Sequence, residues 1–206
     1  MSQVVDIDTA LAEMGWQPEE ERSAGIKMFV DAVRLAPIAL VSQRDRDRLV
    51  SRHLLPSLAA LPFLPDTGRV LDMGSGSGFP AIPLAIARPD LQFVLVDATR
   101  KKIDFLNDCI QRLGLRNVLA IWNRLENLAG NASYQGAFQT VMARAVAKLP
   151  QLLPLIKPFL APQGSVVLWK GQNWRREGEL QRFGFSLEQE TSLPDGSVLL
   201  LLSCAK

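Results

Sequence analysis

A chain of 206 residues, 48% hydrophobic and 21% charged, has the size and balance of one globular domain with an ordinary core. Its formal net charge of +2 gives no bulk reason to expect a nucleic-acid partner, so that case rests on where the charges sit. Its two cysteines, Cys109 and Cys204, lie far apart without metal-ligand spacing, which speaks against a zinc site or disulfide framework and for a reducing compartment.

The opening residues, MSQVVDID, have neither a basic n-region nor an apolar h-region. No run approaches the roughly eighteen apolar residues of a membrane span. A cytoplasmic protein without membrane or metal partners is expected, acting as a monomer. Residues 1–62 read as a helical cap on a main domain spanning 63–206, the two forming one compact unit. Asp8 or Thr9 can cap a short helix through Met14, stopped by Gly15. Pro18 opens a longer helix with Glu19, Glu20 and Glu21 in its first turn, where they complement the dipole. Ile26, Phe29, Val30 and Val33 give it an apolar stripe, and Pro37 ends it. A third helix is expected from about Asp45 to Leu58. Around it Arg44, Arg46, Arg48 and Arg52 interleave with Asp45 and Asp47. That pattern is either a solvated face with local ion pairs or a set of phosphate contacts, since the arginine fork matches phosphate oxygens. His53, the only histidine, reads as a partly buried structural residue rather than a catalytic one.

The main domain opens on Arg69 to Met73, a short apolar run bounded by glycine and read as a buried strand. Gly74, Gly76 and Gly78 follow at every second position, and Phe79 to Arg88 then forms a helix. Strand, glycine loop and helix start together make a nucleotide-type cofactor site. Gln92 to Asp97 is a second strand ending in a carboxylate about twenty residues beyond the loop, the spacing at which an acid holds a ribose diol. The third glycine comes too early for a dinucleotide fingerprint, and Asp72 stands just before the first. A carboxylate there suits the ammonium of S-adenosyl-L-methionine, and Asp72-x-Gly74-x-Gly76-x-Gly78 resembles the first motif of class I methyltransferases.

Thr99 can cap the next helix, whose stripe of Ile103, Leu106, Ile110 and Leu113 faces the sheet. Arg100, Lys101 and Lys102 sit at its start, where the dipole disfavours cations, so they are read as solvated surface or phosphate contacts. Asn117 to Trp122 is a third strand, followed by a loop in which Leu125 and Glu126 suit an adenine ring. Phe138 to Ala143 is the fourth, with Arg144 at the carboxyl end, where open α/β sheets bind ligands. Leu149 to Lys157 reads as a helix kinked at Pro154. Ser165 to Trp169 is the fifth strand, leading to Lys170 and Gly171. Trp174 opens a short helix closing near Phe183, and Phe185–Thr191 and Ser197–Cys204 flank a Leu-Pro-Asp-Gly turn as a hairpin. The expected fold is therefore α/β: a Rossmann-like seven-stranded sheet with the last strand antiparallel, the class I S-adenosylmethionine-dependent methyltransferase topology, carrying an N-terminal helical cap.

The acceptor is narrowed by chemistry. Amino methylation of adenine or cytosine typically uses an Asn/Asp-Pro-Pro-aromatic loop after the fourth strand, where this chain has Ala143-Arg144-Ala145-Val146. Carbon-5 methylation needs a cysteine at a sheet edge, and neither cysteine is so placed. Guanine N7 is already nucleophilic and needs only alignment and exclusion of water. No catalytic residue is assigned, with Arg144 as the candidate, and N- or O-directed small-molecule enzymes remain open.

Four stretches carry a family resemblance: Asp72 through Leu84; Val96-Asp97 to Phe105-Leu106; Ala143-Arg144-Ala145-Val146-Ala147-Lys148-Leu149; and Trp169-Lys170-Gly171. With Arg52-His53 and Ser57-Leu58, the chain resembles the bacterial glucose-inhibited division protein B family (RsmG), the small-subunit rRNA guanine-N7 methyltransferases. The resemblance implies S-adenosyl-L-methionine as cofactor, with contacts at Gly74, Phe79, Leu125, Glu126 and Arg144. It implies guanine 527 of 16S rRNA in the small ribosomal subunit as substrate. For such a partner the basic residues Arg44, Arg46, Arg48, Arg52, Lys101 and Lys170 are the RNA-binding candidates. The chain departs from the family pattern at Ala39-Leu40-Val41, Pro56 and Ala143, changes that leave the cofactor positions intact and bear on how substrate is met. Two other readings stay open: methylation of a small molecule, and a ribosome-associated cofactor-binding protein without turnover.

Overall fold

A computed structural model describes residues 6–204. Met1–Val5, which open the stretch read for a leader, and the two C-terminal residues lie outside the described residues. Seven strands form one sheet in the order β3-β2-β1-β4-β5-β7-β6. They are β1 (Arg69–Met73), β2 (Gln92–Asp97), β3 (Val118–Trp122), β4 (Phe138–Arg144), β5 (Leu160–Gly171), β6 (Phe185–Ser192) and β7 (Ser197–Cys204). The first five pair in parallel, and β7 enters antiparallel between β5 and β6. The strand order reverses on either side of β1, placing a crevice at the carboxyl ends of β1, β2 and β4.

Strands β1 and β2 are apolar almost throughout because helices cover both faces, as a parallel sheet requires. One face packs under the N-terminal helices α1 (Ile7–Glu13), α2 (Glu20–Leu35) and α4 (Leu55–Leu58), together with α5 (Ala81–Ala87) and α6 (Arg100–Arg112), while α3 (Gln43–Arg46) buries no residue. The other packs under α7 (Leu125–Ala129) and α8 (Leu149–Ile156). The α2 stripe of Ile26, Phe29, Val30 and Val33 is fully buried against α5 and the sheet, so the cap shares the sheet's own core. Full burial of each such side chain is worth about 1.5–3 kcal/mol, which ties the N-terminal region firmly to the rest.

Several elements differ from expectation. Helix α1 is capped by Asp6, whose carboxylate accepts the Thr9 N–H, rather than by Asp8 or Thr9. Thr99 occupies the cap position of α6, but its side chain makes no capping bond; the Asp97 carboxylate takes the Thr99 N–H instead. The crossover helix after the glycine loop starts only at Ala81. Strand β5 begins at Leu160, five residues earlier than expected, with an irregular register opposite Phe138 to Thr140. The stretch from Trp174 to Phe183 forms two separate 3₁₀ turns. The single helix expected over Asp45–Leu58 is broken into α3, a π-helical turn at Val50–Leu54, and α4. Pro56 contributes to that break, because it has no N–H for the carbonyl of Arg52 four residues back. Among the described residues no helix is long and apolar enough to cross a membrane.

Candidate functional site

At the crevice, the glycine loop is tied to the end of β2. The Gly74 and Ser75 N–H groups both donate to the Val96 carbonyl at 2.8 and 3.0 Å. Asp97 accepts the Gly76 N–H at 2.9 Å and the Thr99 N–H at 2.8 Å, and Lys102 Nζ stands 3.9 Å away. The loop's shape is thus set by a carboxylate on the neighbouring strand, with acceptor capacity left over for a ligand.

Two of the glycines are needed for close approach. A Cβ on Gly74 would meet Val146 Cγ2 at 2.8 Å, because the segment after β4 leans onto the loop. A Cβ on Gly78 would meet Leu106 Cδ2 at 2.8 Å and both Ile82 and Phe29 at 3.0 Å, so this glycine serves core packing. Gly76 meets only its own loop.

A cleft of about 320 Å³ lies in front of the loop, walled by Gly74, Asp97, Lys102, Leu125, Glu126 and Val146 among others. Hollows of about 440 and 330 Å³ lie elsewhere, at the amino ends of β2 and β3 and between α2 and α6. Position at the strand carboxyl ends, not size, marks the smaller cleft as the site. Of the positions expected to hold cofactor, Gly74, Asp97, Leu125 and Glu126 line this cleft, while Asp72, Gly76, Gly78, Phe79 and Arg144 do not. Phe79 is buried, packing on Phe29 at 4.9 Å and on His53 at 5.5 Å between ring centroids.

Asp72 lies beneath the loop, 1% exposed, and its Oδ2 has no hydrogen-bond partner among the described residues. The Ser75 hydroxyl donates to the Asp72 main-chain carbonyl at 3.0 Å. Burial, with the Asp97 charge nearby, pushes the Asp72 carboxyl up to about 7. An orphaned buried carboxyl on the strand that feeds the loop is where a cationic ligand group would be stabilised. Together with the Asp97 acceptor and the Leu125–Glu126 wall, this fits S-adenosyl-L-methionine.

Arg144 does not line this cleft. Its guanidinium donates to the carbonyls of Arg52 and His53 in the π-helical turn. It therefore satisfies the carbonyl that Pro56 leaves without a helical donor. Trp169, at the end of β5, donates from Nε1 to the Pro56 carbonyl at 2.7 Å. Two residues at strand carboxyl ends thus hold the cap where its helix opens. His53 sits in this knot, its Nε2 without a hydrogen-bond partner and its ring held neutral by burial, at about 4.

The six RNA-binding candidates divide. Arg44, Arg48 and Lys101 are exposed and form no ion pair among the described residues. Arg46 reaches the Ala36 carbonyl, Arg52 binds the Asp195 carbonyl and lies 3.8 Å from Asp45, and Lys170 is paired with Glu177 at 2.6 Å. Arg100, left open at the helix start, stacks over the exposed Trp122 ring at 5.3 Å.

Ala145 and Val146 were not anticipated as cleft residues. Their position just past a strand carboxyl end was the available signal. Ala145 holds φ +55°, a left-handed conformation costly for a side-chain-bearing residue and characteristic of sites where a loop must be aimed. Cys109 is buried in α6 with its thiol pushed up to about 12, so it offers no nucleophile. Among the described residues no cluster of three or more His, Cys, Asp or Glu is placed to hold a metal.

The comparisons with known proteins agree with this architecture. A family model described as rRNA small subunit methyltransferase G matches residues 26–195. The ribosomal RNA small subunit methyltransferase G of Sorangium cellulosum is 38% identical over 205 residues, covering 88% of this chain and 84% of that protein. That of Legionella pneumophila is 43% identical over 133 residues, covering 65% and 62%. Among solved structures, a SAM-dependent methyltransferase from Aquifex aeolicus aligns with a TM-score of 0.60 at 12% identity, over 91% of this chain and all 100% of that one. A ribosomal protein L11 methylase from Lactobacillus delbrueckii subsp. bulgaricus gives 0.59 at 18% identity, over 73% and 77%. These structural likenesses establish the class I methyltransferase fold, and the sequence match is finer: the chain belongs to the rRNA small subunit methyltransferase G family.

Proposed function

We propose that this protein transfers a methyl group from S-adenosyl-L-methionine to N7 of guanine 527 of 16S rRNA in the small ribosomal subunit, in the cytoplasm. The observation that carries the cofactor part is the carboxylate pair at adjacent strand ends: Asp97 on the cleft wall and the orphaned Asp72 beneath it. In this reading Asp97 accepts from the ribose hydroxyls, Leu125 and Glu126 receive the adenine, and Asp72 opposes the ammonium. Bound there, the cofactor supplies a methyl group made electrophilic by its sulfonium.

The chain's own contribution is positioning. Guanine N7 holds an in-plane lone pair and carries no proton, so its methylation requires no general base. In this reading Asp97 and Glu126, the carboxylates of the cleft, hold the cofactor, and neither His53, which sits in the cap, nor Cys109, which is buried in α6, lines the cleft. What remains is to hold the base in line with the methyl group and keep water out, for which effective concentration alone is worth several orders of magnitude in rate. Ala145 and Val146, folded over Gly74, are the segment placed to do both.

The test is to map N7-methylguanine in small-subunit rRNA from cells with and without the gene, followed by transfer to undermethylated subunits in vitro. A single N7-methylguanine that disappears with the gene and is restored by the purified protein is expected. Methylation of a different rRNA atom, or none at saturating cofactor, would refute the assignment.

A further inference from the structure

Past Ala145 lies a second cleft, of about 260 Å³, walled by Arg144, Ala145, Trp169, Lys170, Gly171, Glu177 and Ser197. Ala145 also walls the cofactor cleft, so the two hollows are neighbours across one strained residue. In this second hollow Glu177 is held unusually well for a residue in a short 3₁₀ turn. Lys170 Nζ donates to its Oε2 at 2.6 Å and the Leu149 N–H donates to the same oxygen at 2.8 Å. Both partners converge on Oε2, and no hydrogen bond from the described residues reaches Oε1. Lys170 is itself pinned, its Nζ also donating to the Ala147 carbonyl at 3.2 Å. The pair is only partly exposed, with side-chain exposures of 10% for Lys170 and 22% for Glu177.

We propose that this second cleft receives the flipped-out target purine and that Glu177 reads its Watson–Crick edge. The inference rests on the guanine-N7 reading above. A carboxylate offers acceptors only, and guanine presents two adjacent donors on that edge, N1–H and the N2 amino group. Adenine presents an acceptor at N1, which would face the carboxylate without a proton between them. The edge carrying N1 and N2 lies across the purine from N7. A base anchored at Glu177 therefore turns N7 away from it, and the cofactor cleft lies beyond Ala145. Extrusion of the base from its stack is the general route by which enzymes reach a base atom.

The same carboxylate has a place in the transfer. The S–CH₃ bond breaks as the N7–CH₃ bond forms, no proton leaves, and the positive charge passes from sulfur to the purine. N1–H becomes more acidic as that charge develops, so its bond to Glu177 is stronger in the transition state than in the bound ground state. Lys170 faces the same carboxylate from its Oε2 side and does not occupy Oε1.

The experiment measures binding of GMP, IMP and AMP by saturation-transfer NMR, with saturating S-adenosylhomocysteine, to the wild-type protein and to Glu177→Gln. The glutamine amide oxygen can keep the Leu149 bond while the paired acceptor is lost. Wild type is expected to prefer GMP over AMP by about tenfold or more, with IMP between them, as for hydrogen bonds to a charged group. Glu177→Gln should weaken GMP about tenfold and leave AMP within twofold. Equal affinities in the wild type, no binding of any nucleotide at millimolar concentration, or parallel loss of GMP and AMP in the variant would each overturn the proposal. The readout is separate from methyl transfer. GMP preference without N7 methylation sinks the transfer reading alone, and N7 methylation without GMP preference sinks this inference alone.

Discussion

Replacing Asp72 by asparagine isolates the electrostatic cost of the glycine-loop site. The carboxyl is 1% exposed and sits at about 7 against an ordinary value of 3.8, with burial the leading cause. A raised acid pKa means that the folded protein binds the proton more tightly than the unfolded chain. Its stabilising effect is therefore complete below about pH 4 and is lost as pH rises toward 7. Across that window the folded state loses about 1.4 kcal/mol per pH unit, on the order of 4 kcal/mol in all. Asparagine keeps the shape and removes the ionisation, so Asp72→Asn should be less pH-sensitive than wild type. Urea unfolding of the cofactor-free proteins at pH 4.5 and 6.5 should show the variant gaining roughly 2–3 kcal/mol on wild type between the two. Cofactor binding carries the opposite sign. An ammonium opposed to ionised Asp72 favours the charged form, so wild-type affinity should rise with pH up to about 7 and then level, while the variant stays weak and flat. Parallel stability curves for the two proteins would refute the buried-carboxyl argument. Parallel affinity curves would remove Asp72 from the cofactor site.

Three further substitutions test separate parts of the site. Asp97→Ala strips acceptors from the Gly76 and Thr99 N–H groups and should cost about 1–3 kcal/mol of stability along with most cofactor affinity; unchanged calorimetric binding would take Asp97 out of the site. Gly78→Ala and Gly76→Ala share a positive-φ backbone but not a neighbourhood, since only the former drives a Cβ into Leu106, Ile82 and Phe29. Thermal unfolding should show Gly76→Ala costing about 1–2 kcal/mol and Gly78→Ala about 1–3 kcal/mol more; equal losses would contradict the packing role of Gly78. Ala145→Gly relieves a left-handed alanine and should stabilise the fold by up to about 1 kcal/mol while lowering kcat, because the loop over Gly74 is no longer held; unchanged kcat would mean that its aim does not matter.

The sheet and the glycine loop with its Asp97 tie were legible because their signals are local. Strands β1 and β2 are short apolar runs closed by glycine or a carboxylate, and their boundaries follow from those residues alone. Asp97 was identifiable by its spacing from the glycines, and the structure places its carboxylate on the loop. The sequence did not disclose which glycine lines the cleft and which serves the core. Gly74 and Gly78 look alike in the chain, and only the approach of Val146 to one and of Leu106 to the other separates them. Glu177 carried no signal either, because its role depends on Lys170 and Leu149 converging on one oxygen from two different elements. One of those partners, Lys170, is also among the RNA-binding candidates.

Arg144 shows most clearly how a strand-end position can carry a structural duty that the sequence does not disclose. Its place at the carboxyl end of β4 marked it as functional, and the motif suggested a direct cofactor contact. In the fold, Pro56 removes the donor for the Arg52 carbonyl and a π-helical turn opens just before it. The Arg144 guanidinium and the Trp169 indole then supply donors from the sheet edge, to Arg52 and His53 and to Pro56. A broken helix in isolation would leave buried carbonyls unsatisfied at about 1–3 kcal/mol each; here the break becomes the joint between cap and sheet. Ala145 follows immediately and aims the segment that covers Gly74 and divides the two clefts. The arginine that fixes the cap is thus covalently adjacent to the residue that shapes the site. Cap anchor and cleft wall are consecutive residues of one chain segment, Arg144 held by the π-helical turn and Ala145 lining both clefts.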